Sequence, residues 1–89
     1  MAFFGASPEG LRSLATDADA MLAVVTDARA LLTDVVGVAP TIWFGADADA
    51  FVATVSGTHI PSLQATIGRL EQAIVELRTS ADAQERTSG

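Results

Sequence analysis

The sequence contains no cysteine, no lysine and no tyrosine. The absence of cysteine excludes disulfides and thiolate metal sites, and it leaves the redox compartment unmarked. Five arginines stand against eleven acidic residues, which gives a formal net charge of −6. Nucleic-acid binding and attraction to an anionic membrane are therefore not expected, because both need clustered cations. No apolar run is long enough to span a bilayer, so a membrane-spanning helix is also not expected.

Residues that could support catalysis or bind a metal are equally scarce. His59 is the only histidine, and without a partner at ligand spacing we interpret it as a half-buried helix residue. Asp47 and Asp49 resemble the start of an EF-hand loop, but Val52 and Thr58 stand where that loop needs Gly and Glu. No Gly-x-Ser-x-Gly and no glycine-rich phosphate loop is present. We predict no catalytic residue, no cofactor, no metal and no enzyme.

What the sequence does have is aliphatic residues at helical spacing. Hydrophobic residues make up 49% of the chain and aromatic residues only 6%, so Ala, Leu, Val and Ile must do most of the packing. Such a composition is typical of helices. A length of 89 residues allows a single domain over 1–89, with a core that is thin for a monomer.

The first helix is predicted over 7–36. Ser7 is placed to cap it, Pro8 suits the first helical position, and Glu9 complements the positive end of the helix dipole. Gly37 and Pro40 supply the usual stop signals. One apolar row follows steps of mostly three and four, interrupted by Arg29: Leu11, Leu14, Ala18, Leu22, Val25, Leu32 and Val36. A second row lies beside it: Met21, Val24, Ala28, Leu31 and Val35.

A connection over 37–44 and a second helix over 45–83 are predicted next, with a frayed tail over 84–89. Asp47 and Asp49 fall in the first turn, where the dipole favours carboxylates. Pro61 lacks an amide donor and crowds the carbonyl of Gly57, which predicts a bend near 57–61. The far half carries a heptad-like row: Leu63, Ile67, Leu70, Ile74, Leu77 and Ala81.

Two adjacent apolar rows on the first helix are more than one partner helix covers. We therefore predict an all-α, antiparallel helical hairpin that dimerises into a four-helix bundle, with a second copy or a related chain as partner. The residues predicted for the core and the partner interface are Leu11, Leu14, Leu22, Val25, Leu32, Phe51, Leu63, Ile67, Leu70, Ile74 and Leu77.

The tripeptide Trp43-Phe44-Gly45 lies between the two predicted helices, near the midpoint of the chain. It resembles the Trp-x-Gly motif of the WXG family, the small helical hairpins exported by type VII secretion systems. The stretch from Trp43 to Phe51 is similar to actinobacterial members of that family. So are His59-Ile60-Pro61-Ser62-Leu63, the opening Phe4 to Leu11 and the ending Leu77 to Gln84.

This resemblance implies a homodimer or heterodimer that acts as a secretion substrate, an export partner or an adaptor, and that engages the secretion ATPase. Export would then occur without a Sec signal, and Met1–Gly5 has neither a basic region nor an extended apolar region. Many members carry a C-terminal Tyr-x-x-x-Asp/Glu signal, which a chain without tyrosine cannot have. A non-secreted adaptor and a membrane-active effector pair are the alternatives.

Two interpretations of the motif residues remain open. Trp43 can cover apolar helix surface at the end of the hairpin, with Gly45 permitting a tight turn. Both residues can also form a surface that the secretion machinery recognises. We predict the structural role as the main one, because a large aromatic side chain usually acts through burial.

Overall fold

The computed structural model describes residues 7–88, and all but the connection and the first residue of this range are helical. Helix α1 spans Pro8–Ile42, α2 spans Ala46–Thr54, a π-helical segment spans Val55–His59, and α3 spans Ile60–Ser88. The range 7–88 contains no strand. The predicted all-α class and helical-hairpin character are confirmed. The expectation for Met1–Gly5 and the first part of the resemblance, over 4–6, lie outside the described residues.

The start of α1 follows its capping signals. The Gly10 amide donates to Ser7 Oγ at 3.0 Å, and the Leu11 amide donates to the Ser7 carbonyl at the same distance. Pro8 opens the helix, where its missing donor costs nothing, and Glu9 lies in the first turn. α1 therefore begins one residue after the predicted start at residue 7, with Ser7 as its cap.

The predicted end of the first helix at residue 36 is wrong. α1 continues through Gly37 and Pro40 and ends at Ile42, so the connection shrinks from 37–44 to 43–45. The reason is packing at one position: Ala39 keeps only 7% of its surface exposed, and its burial favours a further helical turn over the local stop signals. Pro40 lies near the C-terminus of the helix, where the loss of one amide donor disturbs few later residues.

The irregularity expected near 57–61 takes another form. The chain stays helical, but it widens into a π turn over Val55–His59 in which the Ile60 amide donates to the Val55 carbonyl. Pro61 then falls in the first turn of α3. A wider turn relieves the clash between the Pro61 ring and the preceding carbonyls that a regular α-helix imposes. The expected bend is therefore corrected to a π segment that begins two residues earlier.

The predicted fraying of the tail is also corrected. α3 continues past residue 83 to Ser88, and Gln84 is half-buried. Glu85 contributes an ion pair, described next, which gives this last stretch a partner that the apolar pattern alone did not reveal. Gly89 lies outside the described residues.

Residue contacts divide the chain into two compact units, which we call the terminal unit (Met1–Leu22 with Arg69–Gly89) and the connection unit (Ala23–Gly68). In the terminal unit, Arg12 Nη2 pairs with Asp82 Oδ1 and with Glu85 Oε1, both at 2.9 Å, and Arg78 pairs with Asp19. Residues early in α1 thus face residues late in α3, as antiparallel helices require. The prediction of a single domain stays a prediction.

Arg12 donates hydrogen bonds to Glu85 and Asp82, and these raise the pKa of its guanidinium above the usual value. The bond to Glu85 has the larger effect. The stabilisation that results is fully present below the pKa of the unfolded state and is lost only as the pH rises through the folded pKa. Arg12 therefore stays charged at any ordinary pH. Exposed pairs of this kind add little stability, so their main effect is to favour one alignment of the two helix segments.

An inner row of least-exposed positions follows α1 in alternating steps of three and four. Its members are Leu11, Ala15, Ala18, Leu22, Val25, Arg29, Leu32, Val36 and Ala39. The corresponding row on the later helices contains Ala48, Val52, Val55, Ile60, Leu63, Ile67, Leu70, Ile74, Leu77 and Ala81. Such spacing is that of helices packed along a heptad seam.

Leu14 does not belong to the inner row, which corrects its assignment to the core. Its side chain is 54% exposed, while Ala15, one position later, has no exposed surface. The predicted row stepped from Leu11 to Leu14 and then to Ala18, whereas the observed row steps through Ala15. Both spacings are helical, and the sequence row favoured the larger side chain. A role for Leu14 in a partner interface stays a prediction.

Candidate interaction surface

The connection consists of Trp43, Phe44 and Gly45. The Trp43 amide still donates to the Ala39 carbonyl at 2.9 Å, and the Asp49 amide donates to the Gly45 carbonyl at 3.0 Å, so the first helix ends and the next begins within three residues. Gly45 has φ 112° and ψ −179°, the one positive φ among residues 7–88. This backbone region is accessible almost exclusively to glycine, which makes the short connection possible.

Trp43 pairs with Phe51, one turn into α2. The ring centroids are 5.5 Å apart and the ring planes are inclined by 50°, within the range of favourable aromatic pairs. Both rings nevertheless remain accessible, with 43% of Trp43 and 37% of Phe51 exposed. The pair therefore covers one side of the connection and presents its other side to the surroundings.

An open groove of about 480 Å³ lies beside this aromatic pair. Its walls are apolar, since Asp34 lines it without contributing polar surface, and every lining residue belongs to the connection unit. A smaller groove of about 190 Å³ lies on the other side of Trp43, between Pro40 and α2. The larger groove is lined by Asp34, Val35, Val38, Ala39, Ile42, Trp43 and Phe51.

The groove continues an outer row of exposed apolar side chains on α1. Within the connection unit this outer row consists of Val24, Leu31, Val35, Val38 and Ile42, with Ala28 at the remaining position. Leu31 is 65% exposed and Ile42 is 75% exposed. The steps of three and four match the inner row, but each position comes one residue earlier. Within the connection unit α1 thus presents two rows of mainly apolar side chains, and the inner one is the less exposed.

Charges on the outer side of α1 all have one sign. Asp27 and Asp34 precede Ala28 and Val35 and are exposed, seven residues apart along the edge of the outer row. The one arginine of the connection unit, Arg29, occupies the inner row, and its Nε is buried without a hydrogen-bond partner among residues 7–88. An apolar strip edged by carboxylates results.

Most side chains predicted for the core or a partner interface occupy inner-row positions. Ile67 and Ile74 are buried, and the half-buried ones are Leu11, Leu22, Val25, Leu32, Leu63, Leu70 and Leu77. Phe51, like Leu14, is exposed, and it joins Trp43 at the groove. The prediction that these residues contact a partner stays a prediction.

Several residues of the groove were missed by sequence reasoning. The stop signals at Gly37 and Pro40 place Val38 and Ile42 in the predicted connection, yet both residues extend the outer row by the same steps. The spacing from Leu31 through Val35 was the signal that could have found them. Using this signal means that the heptad spacing is continued through Gly37 and Pro40.

His59 is exposed, which corrects the half-buried position expected for it. Asp47 and Asp49 lie in the first turn of α2, as predicted. Within residues 7–88 no group of His, Asp or Glu side chains is arranged to hold a metal ion. Among the described helices, none combines the length and the apolarity that crossing a membrane requires.

Compared with protein-family models, curated proteins and solved structures, the chain has no match. The exposed apolar surface of the connection unit and the resemblance carried by the Trp43–Gly45 motif are therefore the features that bear on function.

Proposed function

We propose that this chain is a WXG-type helical protein that works by pairing with a second helical chain, as a substrate or an export partner of a type VII secretion system. The four-helix bundle expected from the sequence would form when the partner covers the outer row. Binding, and not catalysis, is then its biochemical activity.

One observation carries this proposal: a row of large apolar side chains stays exposed along α1 and at the connection. The only side chains in the described part of the chain without exposed surface are those of Ala15 and Ala81, and no large side chain is fully buried. Val55, Ile67 and Ile74 are buried, but the large side chains of the outer row and the two rings at the groove remain between 37% and 75% exposed. A contiguous exposed apolar strip is the usual mark of an interface. Covering it with another protein lowers the free energy by about 25 cal/mol per Å² of apolar surface buried.

The Trp43–Gly45 motif supports the secretion part of the proposal. Gly45 makes a three-residue connection possible, and the exposed side of the Trp43–Phe51 pair is placed where another protein can reach it. This geometry suits both interpretations of Trp43, since one side of the indole packs and the other is available.

Mass measurement in solution tests the pairing. The chain alone, and the chain mixed with the product of the neighbouring gene, are compared by light scattering during size-exclusion chromatography. We expect a complex in one of the two samples. A monomer in both samples at high concentration would contradict the proposal.

Export is tested separately in the native host. Culture filtrates of the wild type and of a strain lacking the type VII ATPase are compared for this chain, with a Sec-dependent protein as control. We expect export to depend on the ATPase. Equal amounts in both filtrates would remove the secretion part and leave the pairing.

The second candidate is an adaptor that stays in the cytosol and docks on a larger protein. The lack of tyrosine favours it, because the chain cannot carry the Tyr-x-x-x-Asp/Glu signal itself. Detection of the chain in the cell lysate alone, in a strain with an active secretion system and a co-expressed partner, would support this candidate.

A further inference from the structure

We propose that the outer row of the connection unit binds a cationic amphipathic helix of a different protein, and that Asp27 and Asp34 select it. This inference rests on the proposed pairing and adds the chemistry of the partner, which the pairing alone leaves open.

The shape of the strip fits a helix. The outer row runs from Val24 to Ile42, about 27 Å at the rise of an α-helix, and its steps of three and four form the seam that a second helix packs against. The groove at its end is bounded by Trp43 and Phe51 and has room for one large apolar side chain. A partner helix of about five turns, with apolar residues at the same spacing, would cover the strip.

The charges along the strip decide between a second copy and another protein. Asp27 and Asp34 are about 10 Å apart on the same edge of α1. In a two-fold dimer each copy offers the same patch, so a second copy brings two more carboxylates and no cation from its outer row. Like charges brought together at an interface are unfavourable, whereas a helix with Arg or Lys seven residues apart would complement both aspartates.

Asp34 also lines the groove, so a cation paired with it lies at the edge of an apolar surface. The stem of an arginine or lysine can pack along Val35 and Val38 while its head reaches the carboxylate. Ion pairs that are partly removed from water contribute more to discrimination than pairs on an open surface.

The fluorescence of Trp43 measures binding at the groove directly, because Trp43 is the only tryptophan of the chain. The full-length protein is titrated with two synthetic helical peptides of 21 residues that share a leucine seam. One peptide carries Arg at two flanking positions seven apart, and the other carries Glu there. We expect the Arg peptide to shift Trp43 emission to shorter wavelength and to bind about three- to tenfold more tightly, with the difference reduced by salt.

Charge-neutral variants sharpen the test. Asp27→Asn with Asp34→Asn should reduce the preference for the Arg peptide to near unity. The control pair Glu71→Gln with Glu76→Gln changes net charge equally but leaves both aspartates beside the outer row in place, so it should keep most of the preference. Equal binding of both peptides, or equal effects of the two variant pairs, would overturn the proposal.

Two other occupants are distinguished by the same readout. A concentration-dependent dimer of the chain alone that protects Trp43 would identify a second copy, overturning this inference while preserving the proposed pairing. An equal emission shift on phosphatidylcholine vesicles would identify a lipid surface and also overturn it. Absence of binding to either peptide, together with a monomer in all mixtures, would contradict both the inference and the proposed function.

Discussion

The Ile60 amide donates to the Val55 carbonyl five residues earlier, and this one wide turn keeps both side chains on the inner row. Before it the row steps through Ala48, Val52 and Val55, and after it through Ile60 and Leu63. A step of five interrupts the alternation of three and four. The π segment thus absorbs one additional residue, which would otherwise rotate Ile60 and Leu63 by about 100° relative to α2.

Removing that residue should be tolerated. We expect deletion of Gly57, combined with Pro61→Ala to restore the amide donor, to yield a folded protein with an uninterrupted α-helix. The inner row would then step from Val55 to Ile60 by four. The control is deletion of Gly68 in the same Pro61→Ala background, which moves Leu70 and all later inner-row residues off their face. Circular dichroism during thermal unfolding measures both, and equal destabilisation would contradict this account of the π segment.

Gly45 should tolerate an added methyl group poorly for conformational reasons. No atom lies within 4 Å of a Cβ built there, so the cost of Gly45→Ala comes from its positive φ and should be about 1–3 kcal/mol. Gly37→Ala makes the same chemical change in open space within α1 and should stabilise by about 0.5–1 kcal/mol. Urea unfolding measures both. A D-alanine at position 45 should recover most of the loss, and failure to do so would point to another cause.

Leu31 and Leu32 are neighbours on different rows and allow a matched comparison. Leu31→Ala removes a side chain that is 65% exposed, so the free energy of unfolding of the isolated chain should change by no more than about 0.5 kcal/mol. Leu32→Ala empties a half-buried inner-row position and should cost about 2 kcal/mol. Partner binding should show the opposite order, with Leu31→Ala the more damaging. The same order in both measurements would mean that the outer row is not an interface.

Arg29 interrupts the inner row with a group that is poorly satisfied. Its Nε is buried and has no hydrogen-bond partner within residues 7–88, and an unsatisfied buried donor costs about 1–3 kcal/mol. We expect Arg29→Leu to raise the free energy of unfolding by about 1 kcal/mol. Arg69→Leu, at an exposed position of α3, should change it little. Destabilisation by Arg29→Leu would show that the guanidinium makes a compensating interaction.

The fold could be predicted well where local signals and packing agree. Ser7 and Pro8 fixed the start of α1 because capping is a local interaction. Gly37 and Pro40 gave the wrong end for α1. Their stop signals are also local, whereas the burial of Ala39 depends on residues that come later in the chain. Propensity is a weak preference that tertiary packing can exceed.

The candidate surface was harder to predict than the fold. Periodicity correctly showed two apolar rows on the first helix, but it could not say which residues of each row are covered. Leu14 and Ala15 illustrate this, since the smaller side chain is the buried one. Where helices approach closely, alanine fits and leucine does not, and this depends on the separation of the helices and not on hydrophobicity.

The offset of one position between the inner and outer rows has an evolutionary consequence. The two rows share no residue, so a substitution in one leaves the side chains of the other unchanged. Under the proposed pairing, selection on stability would act through positions such as Leu32, and selection on partner choice through positions such as Leu31 and Asp34. A duplicated copy of this gene could therefore acquire a new partner without first losing its ability to fold.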